Sequence, residues 1–312
     1  MKISMAIFEW ISFVAVVFIL PPLVLGVLCK TKARLQNRIG ASIFQPYFDL
    51  YKLFSKGETV SEVTSWIFRN AAAINFAVVI VVALLVPWLT FKPAFVGADL
   101  ILVIYMFALT RFFTVLAALD AGSAFSGFGA SREVTMAMLV EPAVIFCFAS
   151  LACVARTSDL SVIFSCDNFS LSHNNALWLM AGLGLFLSSL VELSRMPVDD
   201  PTTHLELTMV HEAMILENSG PNLALVLFTH YLKMCILWGI AAQCFLRSIS
   251  YFWTVGPLIQ GALSLGALFC MGVIVAIIEG TLVKLRWTKL PQFIAFAVAM
   301  GLFCVLIAVM RG

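Results

Sequence analysis

One run in this 312-residue chain gathers side chains that do chemistry: RMPVDDPTTHLELTMVHEAMILE, from Arg195 to Glu217. It holds Asp199, Asp200, Glu206, Glu212 and Glu217 together with His204 and His211. Carboxylates and imidazoles this close can bind a metal, pass protons or present a charged face to a partner. Zinc proteases place histidines at i and i+4 so that both reach one ion. His204 and His211 stand two helical turns apart, about 10.5 Å of rise on a straight helix. That is too far to share an ion, and no histidine follows His211 at the protease spacing. Ser194 and Ser219 lack a nucleophile elbow, and the Gly-x-Gly of SGFGASRE precedes no strand–helix unit, which argues against a dinucleotide site. The eight cysteines (Cys29, Cys147, Cys153, Cys166, Cys235, Cys244, Cys270 and Cys304) show no C-x-x-C pair. Inside apolar runs such cysteines pack as small hydrophobes. The expectation is a chain with no metal or cofactor of its own and no complete active site.

A second set of charges lies inside apolar segments: Arg111, Glu141, Glu192, His230, Lys233 and Glu279. An ionised side chain at bilayer depth costs at least ~2.5–3.5 kcal/mol, so each needs a reason. A lone acid can merely neutralise a neighbouring cation. Three acids with an Arg, a Lys and a His read instead as a polar chain through the molecule. Glu141, Glu192, Glu279, Lys233 and His230 are therefore expected to form a proton relay. Asp120, Arg132 and Glu133 fall at helix ends. From the residues alone, two rivals stand beside a proton relay. One is a stand-alone secondary transporter with the intramembrane charges as its substrate site. The other is a membrane metalloenzyme built on His204, Glu206, His211 and Glu212.

The elements that position these residues follow from composition. Hydrophobic residues make up 62% of the chain and charged ones 12%, and mean hydropathy is +1.03. Soluble domains carry about 25% charged residues, so the solvent here is the lipid bilayer. A net charge of +2 gives no footprint for nucleic acid. At about 20 apolar residues per crossing, eight spans are predicted, roughly 6–29, 70–90, 99–119, 134–155, 175–195, 222–246, 257–279 and 290–310. The predicted fold is all-α, a polytopic membrane bundle forming a single domain, 1–312. The first span is too long for a signal peptide and reads as a helix that stays in place. Lys and Arg concentrate in the loops after spans one, three, five and seven, including Lys30, Arg38, Lys56, Arg132, Arg195 and Lys284. This bias predicts that those loops are cytoplasmic and that both termini lie outside. Within the 30–69 loop, Ile43, Phe44, Tyr47, Leu50, Tyr51 and Phe54 recur at helical spacing, an amphipathic helix in the headgroup plane. The opening run forms a second cytoplasmic loop, 196–221.

VELSRMPVDDPTTHLEL resembles the signature of respiratory complex I subunit 1, approximately E-x-x-R-x-P-F-D-x-P-E-A-E-x-E-L. Glu192, Arg195, Pro197, Asp199, Pro201, Glu206 and Leu207 match it. KARLQNRIG, LDAGSAFSGFGASRE, LVEP and IEGTLVKLR are similar to the hydrogenase branch that includes formate hydrogenlyase subunit 4. The resemblance implies a membrane subunit of a redox-driven, ion-translocating complex. Such a subunit docks a peripheral electron-transfer arm and relays protons or conformational change to antiporter-like subunits. It also implies hydrogenase-like large and small subunits and an iron–sulfur subunit as partners. Iron–sulfur clusters and a [NiFe] centre would then lie in those partners, and quinone use is left open. Carried over by position, Glu141, Glu192 and Glu279 would be relay members. Arg195, Asp199, His204, Glu206, His211 and Glu212 would line the junction loop, and Arg38, Asp120, Arg132 and Glu133 the docking face. The chain departs from the signature at Val198, Thr202 and His204, the last two standing where the family carries acids. His204 and His211 are expected to replace those acids as titrating groups, since an ordinary imidazole titrates near 6.5.

Overall fold

The computed structural model describes residues 2–90, 97–165, 174–199 and 209–311. His204 and Glu206 lie outside the described residues. Among the described residues, eleven α-helices run α1 (Lys2–Leu35), α2 (Gln45–Phe54), α3 (Trp66–Leu85), α4 (Leu100–Asp120), α5 (Ala124–Ala155), α6 (Leu160–Ile163), α7 (Asn175–Glu192), α8 (His211–Ile215), α9 (Gly220–Arg247), α10 (Pro257–Thr281) and α11 (Leu290–Arg311). Eight of them, α1, α3, α4, α5, α7, α9, α10 and α11, are long and apolar enough to cross a membrane. The chain is an all-α, multi-pass membrane bundle, as its hydropathy predicts.

These helices hold together by shape, because lipid tails are as apolar as leucine and give no hydrophobic drive between them. α11 packs on α5 and α7, α3 on α4 and α9, and α1 on α10. The buried centre includes Val24, Trp88, Leu151, Trp178 and Trp238. α2 buries only Pro46 and Leu50, against α1 and α9. Phe44, Phe48, Tyr51 and Phe54 point away from the bundle, as expected of a helix lying along a membrane interface.

α5 begins ten residues before its predicted start, so Arg132 and Glu133 lie within the helix rather than at its opening. The small, polar run from Ser126 to Ser131 reads as a loop by hydropathy, but its small residues serve packing. A Cβ on Gly129 would come within 2.7 Å of the Val210 carbonyl oxygen. Glycine there lets α8 sit against α5.

Asp120, expected at the docking face, caps a neighbouring helix. Its Oδ2 accepts hydrogen bonds from Ser65 N (2.8 Å), Ser65 Oγ (2.9 Å) and Phe68 N (3.1 Å). The end of α4 thus caps the start of α3, where orphan backbone N–H groups need acceptors. Asp120→Ala is expected to cost about 0.5–2 kcal/mol, the usual loss for a removed cap. The thermal midpoint of the purified protein checks this, and Asp120→Asn, which keeps an acceptor oxygen, should recover most of it.

Candidate functional site

Four spanning helices deliver charges to one buried cluster. α4 contributes Arg111, α5 Glu133 and Glu141, α7 its last residue Glu192, and α9 His230 and Lys233. The guanidinium of Arg111 bridges two helices, Nη1 to Glu141 Oε1 and Nη2 to Glu192 Oε2, both in very short contacts. Lys233 Nζ lies 2.7 Å from Glu192 Oε1, an ion pair outside good hydrogen-bond alignment. Glu141–Arg111–Glu192–Lys233 is therefore a continuous string of alternating charge. Away from water each charge carries a large desolvation cost, and only mutual pairing offsets it. The string has a buried end and an open one. The side chains of Glu192 and Lys233 are 10% and 14% exposed, whereas that of Glu141 is 44% exposed on the flank of the bundle.

Glu133 is buried beside this string and accepts a hydrogen bond from Ser194 Oγ at 3.3 Å. Among the described residues it makes no ion pair. Arg111, Glu133, Glu192, Lys233, His211 and His230 line a cavity of about 70 Å³, polar and roomy enough for a few waters. Asn75 Nδ2 donates to Thr114 Oγ1 (2.9 Å) on another wall of it.

A second cavity of about 220 Å³ opens between α1, α9, α10 and the segment after α7. Glu279 sits at its heart, holding Arg195 Nη1 and Lys32 Nζ at 3.1 Å each. Asp199 is 2% exposed; its Oδ2 accepts from Val210 N (3.0 Å) and its Oδ1 pairs with Lys284. Glu212 also lines this cavity. The opening run was expected as a cytoplasmic loop, yet its described residues Arg195 and Asp199 turn inward and are buried. Apolar flanks alone could not reveal this, since their partners Glu279 and Lys284 are far along the chain. Arg132 Nη1 donates to Met209 O (3.0 Å), and its guanidinium stacks over Trp287. Arg38 is exposed and lines neither cavity.

The two cavities meet at a pair of imidazoles. His211 and His230 line both, their rings stacked with centroids 4.6 Å apart. Enclosure pushes His211 down to about 4, and the cations Lys233 and Arg195 add to the shift. Its imidazole is thus neutral in the folded protein at physiological pH, contrary to its expected service as a group titrating near neutrality. The linkage has a definite sign. The unfolded chain binds a proton on His211 near pH 6.5 and the folded chain only near 4. This contribution to stability is full above 6.5 and is lost as pH falls toward 4. Thermal midpoints at pH 7.5 and 5.5 should differ less in His211→Phe than in the parent.

Sequence reasoning missed Ser194, weighed only as a nucleophile, and the Asn75–Thr114 pair. An asparagine inside an apolar span was the available signal for the latter.

Fold and site together define a class: a multi-pass membrane protein whose bundle encloses a charged line and two polar cavities. The sequence matches the family profile described as NADH dehydrogenase over residues 8–310, so the chain belongs to that family. It is 33% identical to hydrogenase-4 component C of Escherichia coli (strain K12) over 233 residues, 74% of this chain and 72% of that one. It is 27% identical to formate hydrogenlyase subunit 4 of the same organism over 281 residues, 89% and 90% of the two chains. Its fold is shared with a chain of the membrane-bound sulfane sulfur reductase, an archaeal respiratory membrane complex. The TM-score there is 0.79 at 17% identity, covering 97% of this chain and 99% of that one.

Proposed function

We propose that this protein is a coupling subunit of a redox-driven, ion-translocating membrane complex. It docks a peripheral electron-transfer arm and relays protons or conformational change to antiporter-like membrane subunits. The partners of this reading are hydrogenase-like large and small subunits and an iron–sulfur subunit. They would carry the iron–sulfur clusters and any [NiFe] centre. The names of its relatives support the class of complex. The carrying observation is the string Glu141–Arg111–Glu192–Lys233, which runs from the smaller cavity to an open carboxylate on the flank. A charge half-open at a lipid-facing position calls for a polar group from a neighbour.

In this reading the Lys- and Arg-rich end faces the cytoplasm, both termini lie on the outer side, and the membrane is the inner (cytoplasmic) one. The arm docks over the segment around Arg132, Asp199 and Lys284. A tagged chain extracted in mild detergent is expected to bring down a hydrogenase-like large subunit and an antiporter-like subunit, identified by mass spectrometry. A chain that purifies alone and moves a solute in proteoliposomes would overturn this reading in favour of a transporter.

A further inference from the structure

Among the described residues that line the two cavities, His211 and His230 are common to both, and both can carry a proton. His211 and His230 each reach both sides. Ser194 also lines the larger cavity, and its hydroxyl bonds Glu133 in the smaller one. The remaining charges near the wall are held in pairs: Arg195 with Glu279 on one side, Lys233 with Glu192 on the other. Glu133 is the carboxylate of the smaller cavity with no ion pair among the described residues.

We propose that His211 and His230 form a proton gate between the larger cavity and the ionic cluster, with Glu133 as the receiving carboxylate. This rests on the coupling role proposed above and adds the element that controls it. An imidazole has two ring nitrogens. One takes a proton from water in the larger cavity, and the other then releases its own proton into the smaller cavity to a Glu133 oxygen. One N–H bond forms and one breaks, and the ring is left neutral as its other tautomer. Rotation of the ring or exchange through water resets it. Because each ring spans the wall by itself, the two act as parallel carriers rather than in series.

The same geometry keeps the gate shut at rest. An imidazolium on either ring faces Arg195 from one side and Lys233 from the other, and two imidazoliums stacked at 4.6 Å repel each other. Cys29, Lys32, Asp199, Glu212 and Tyr231 complete the titratable groups around the larger cavity. Passage requires either cation to draw away from the pair, which a rearrangement of the Arg195–Glu279 or Lys233–Glu192 contacts supplies.

The experiment uses the intact complex in sealed inside-out vesicles from cells. Acridine-dye quenching follows proton uptake, and electron transfer is measured in parallel. His211→Phe/His230→Phe keeps a stacked ring pair but carries no proton. Proton uptake per electron should fall about a hundredfold, the low end for a lost proton-transfer group, with subunit composition unchanged. Each single variant should retain a large part of the flux. His211→Ala/His230→Ala should be similarly impaired and partly restored by added imidazole, a rescue that a purely structural role would not show. Glu192→Gln serves as the reference. If it loses uptake while the double Phe variant keeps it, the gate is wrong and the coupling role stands. If both keep it, both ideas fall. Should the Phe pair disturb assembly, imidazole rescue of the Ala pair decides, and absence of rescue overturns the gate. Uptake of sodium in place of protons also overturns it, since imidazole cannot hand on a sodium ion.

Discussion

Glu192→Gln in the assembled complex is expected to cut ion translocation about a hundredfold, the low end for removing a positioned proton-transfer group, while electron transfer in the arm stays close to normal. The expectation follows from where the carboxylate stands. Its two oxygens face different cations, Arg111 on α4 and Lys233 on α9. The amide keeps the shape and one acceptor oxygen but removes the negative charge. Arg111 retains Glu141, whereas Lys233 loses the ion pair at 2.7 Å. The alternating string is broken at its centre, so neither a proton nor a shift of charge can pass along it. Arm chemistry takes place in other subunits in the proposed complex and does not depend on this carboxylate. Simultaneous measurement of translocation and electron transfer checks the split. Loss of the whole complex from the membrane would show instead that Glu192 only ties helices together.

Glu279→Gln should have the largest effect on stability, about 3–5 kcal/mol, as expected when a buried charge pair loses one partner. Glu279 is shared by two cations, and its side chain is 1% exposed. Removing its charge leaves Arg195, 6% exposed, facing Lys32 with no common counterion. Lys32 has a flexible stem near the end of α1 and can turn toward water. Arg195 is held below the surface, with Nη2 against the Met234 sulfur at 3.6 Å, and cannot. The double variant Glu279→Gln/Arg195→Met is therefore expected to be more stable than Glu279→Gln alone. Thermal midpoints of the four proteins complete the cycle. Additive losses would mean that Arg195 and Glu279 do not act on each other.

Much of the architecture was legible because bilayer thickness forces long apolar runs, and eight such runs became eight spanning helices. The charges inside them were legible for the same reason: at that depth a charge stands out. Their pairing was not. Arg111 reaches Glu141 and Glu192, and Glu279 reaches Lys32 and Arg195, across sequence separations that no local pattern encodes. Hydropathy also misjudged the start of α5, because Gly129 and its small neighbours are selected by the close approach of α8 rather than by lipid. The two residues with the least expected settings are Glu133 and Asp120. Both looked like interfacial charges; one is sealed beside the ionic string and the other caps a neighbouring helix. His211 and His230 were singled out separately, as a loop residue and a relay residue. That they stack is a product of α8 packing on α5 and α4, which brings its first residue beside His230 of α9, and the spacing of neither could show it.

The clamp on Asp199 and Arg195 sets an order of manufacture. Both residues precede α8, yet their counterions Lys284 and Glu279 come from the end of α10 and the link that follows it. A ribosome must deliver α10 to the membrane before either of these two contacts can form. The larger cavity is thus finished late in synthesis, by the chain's own C-terminal third. A peripheral partner that recognises the closed form would be kept from docking on an unfinished subunit.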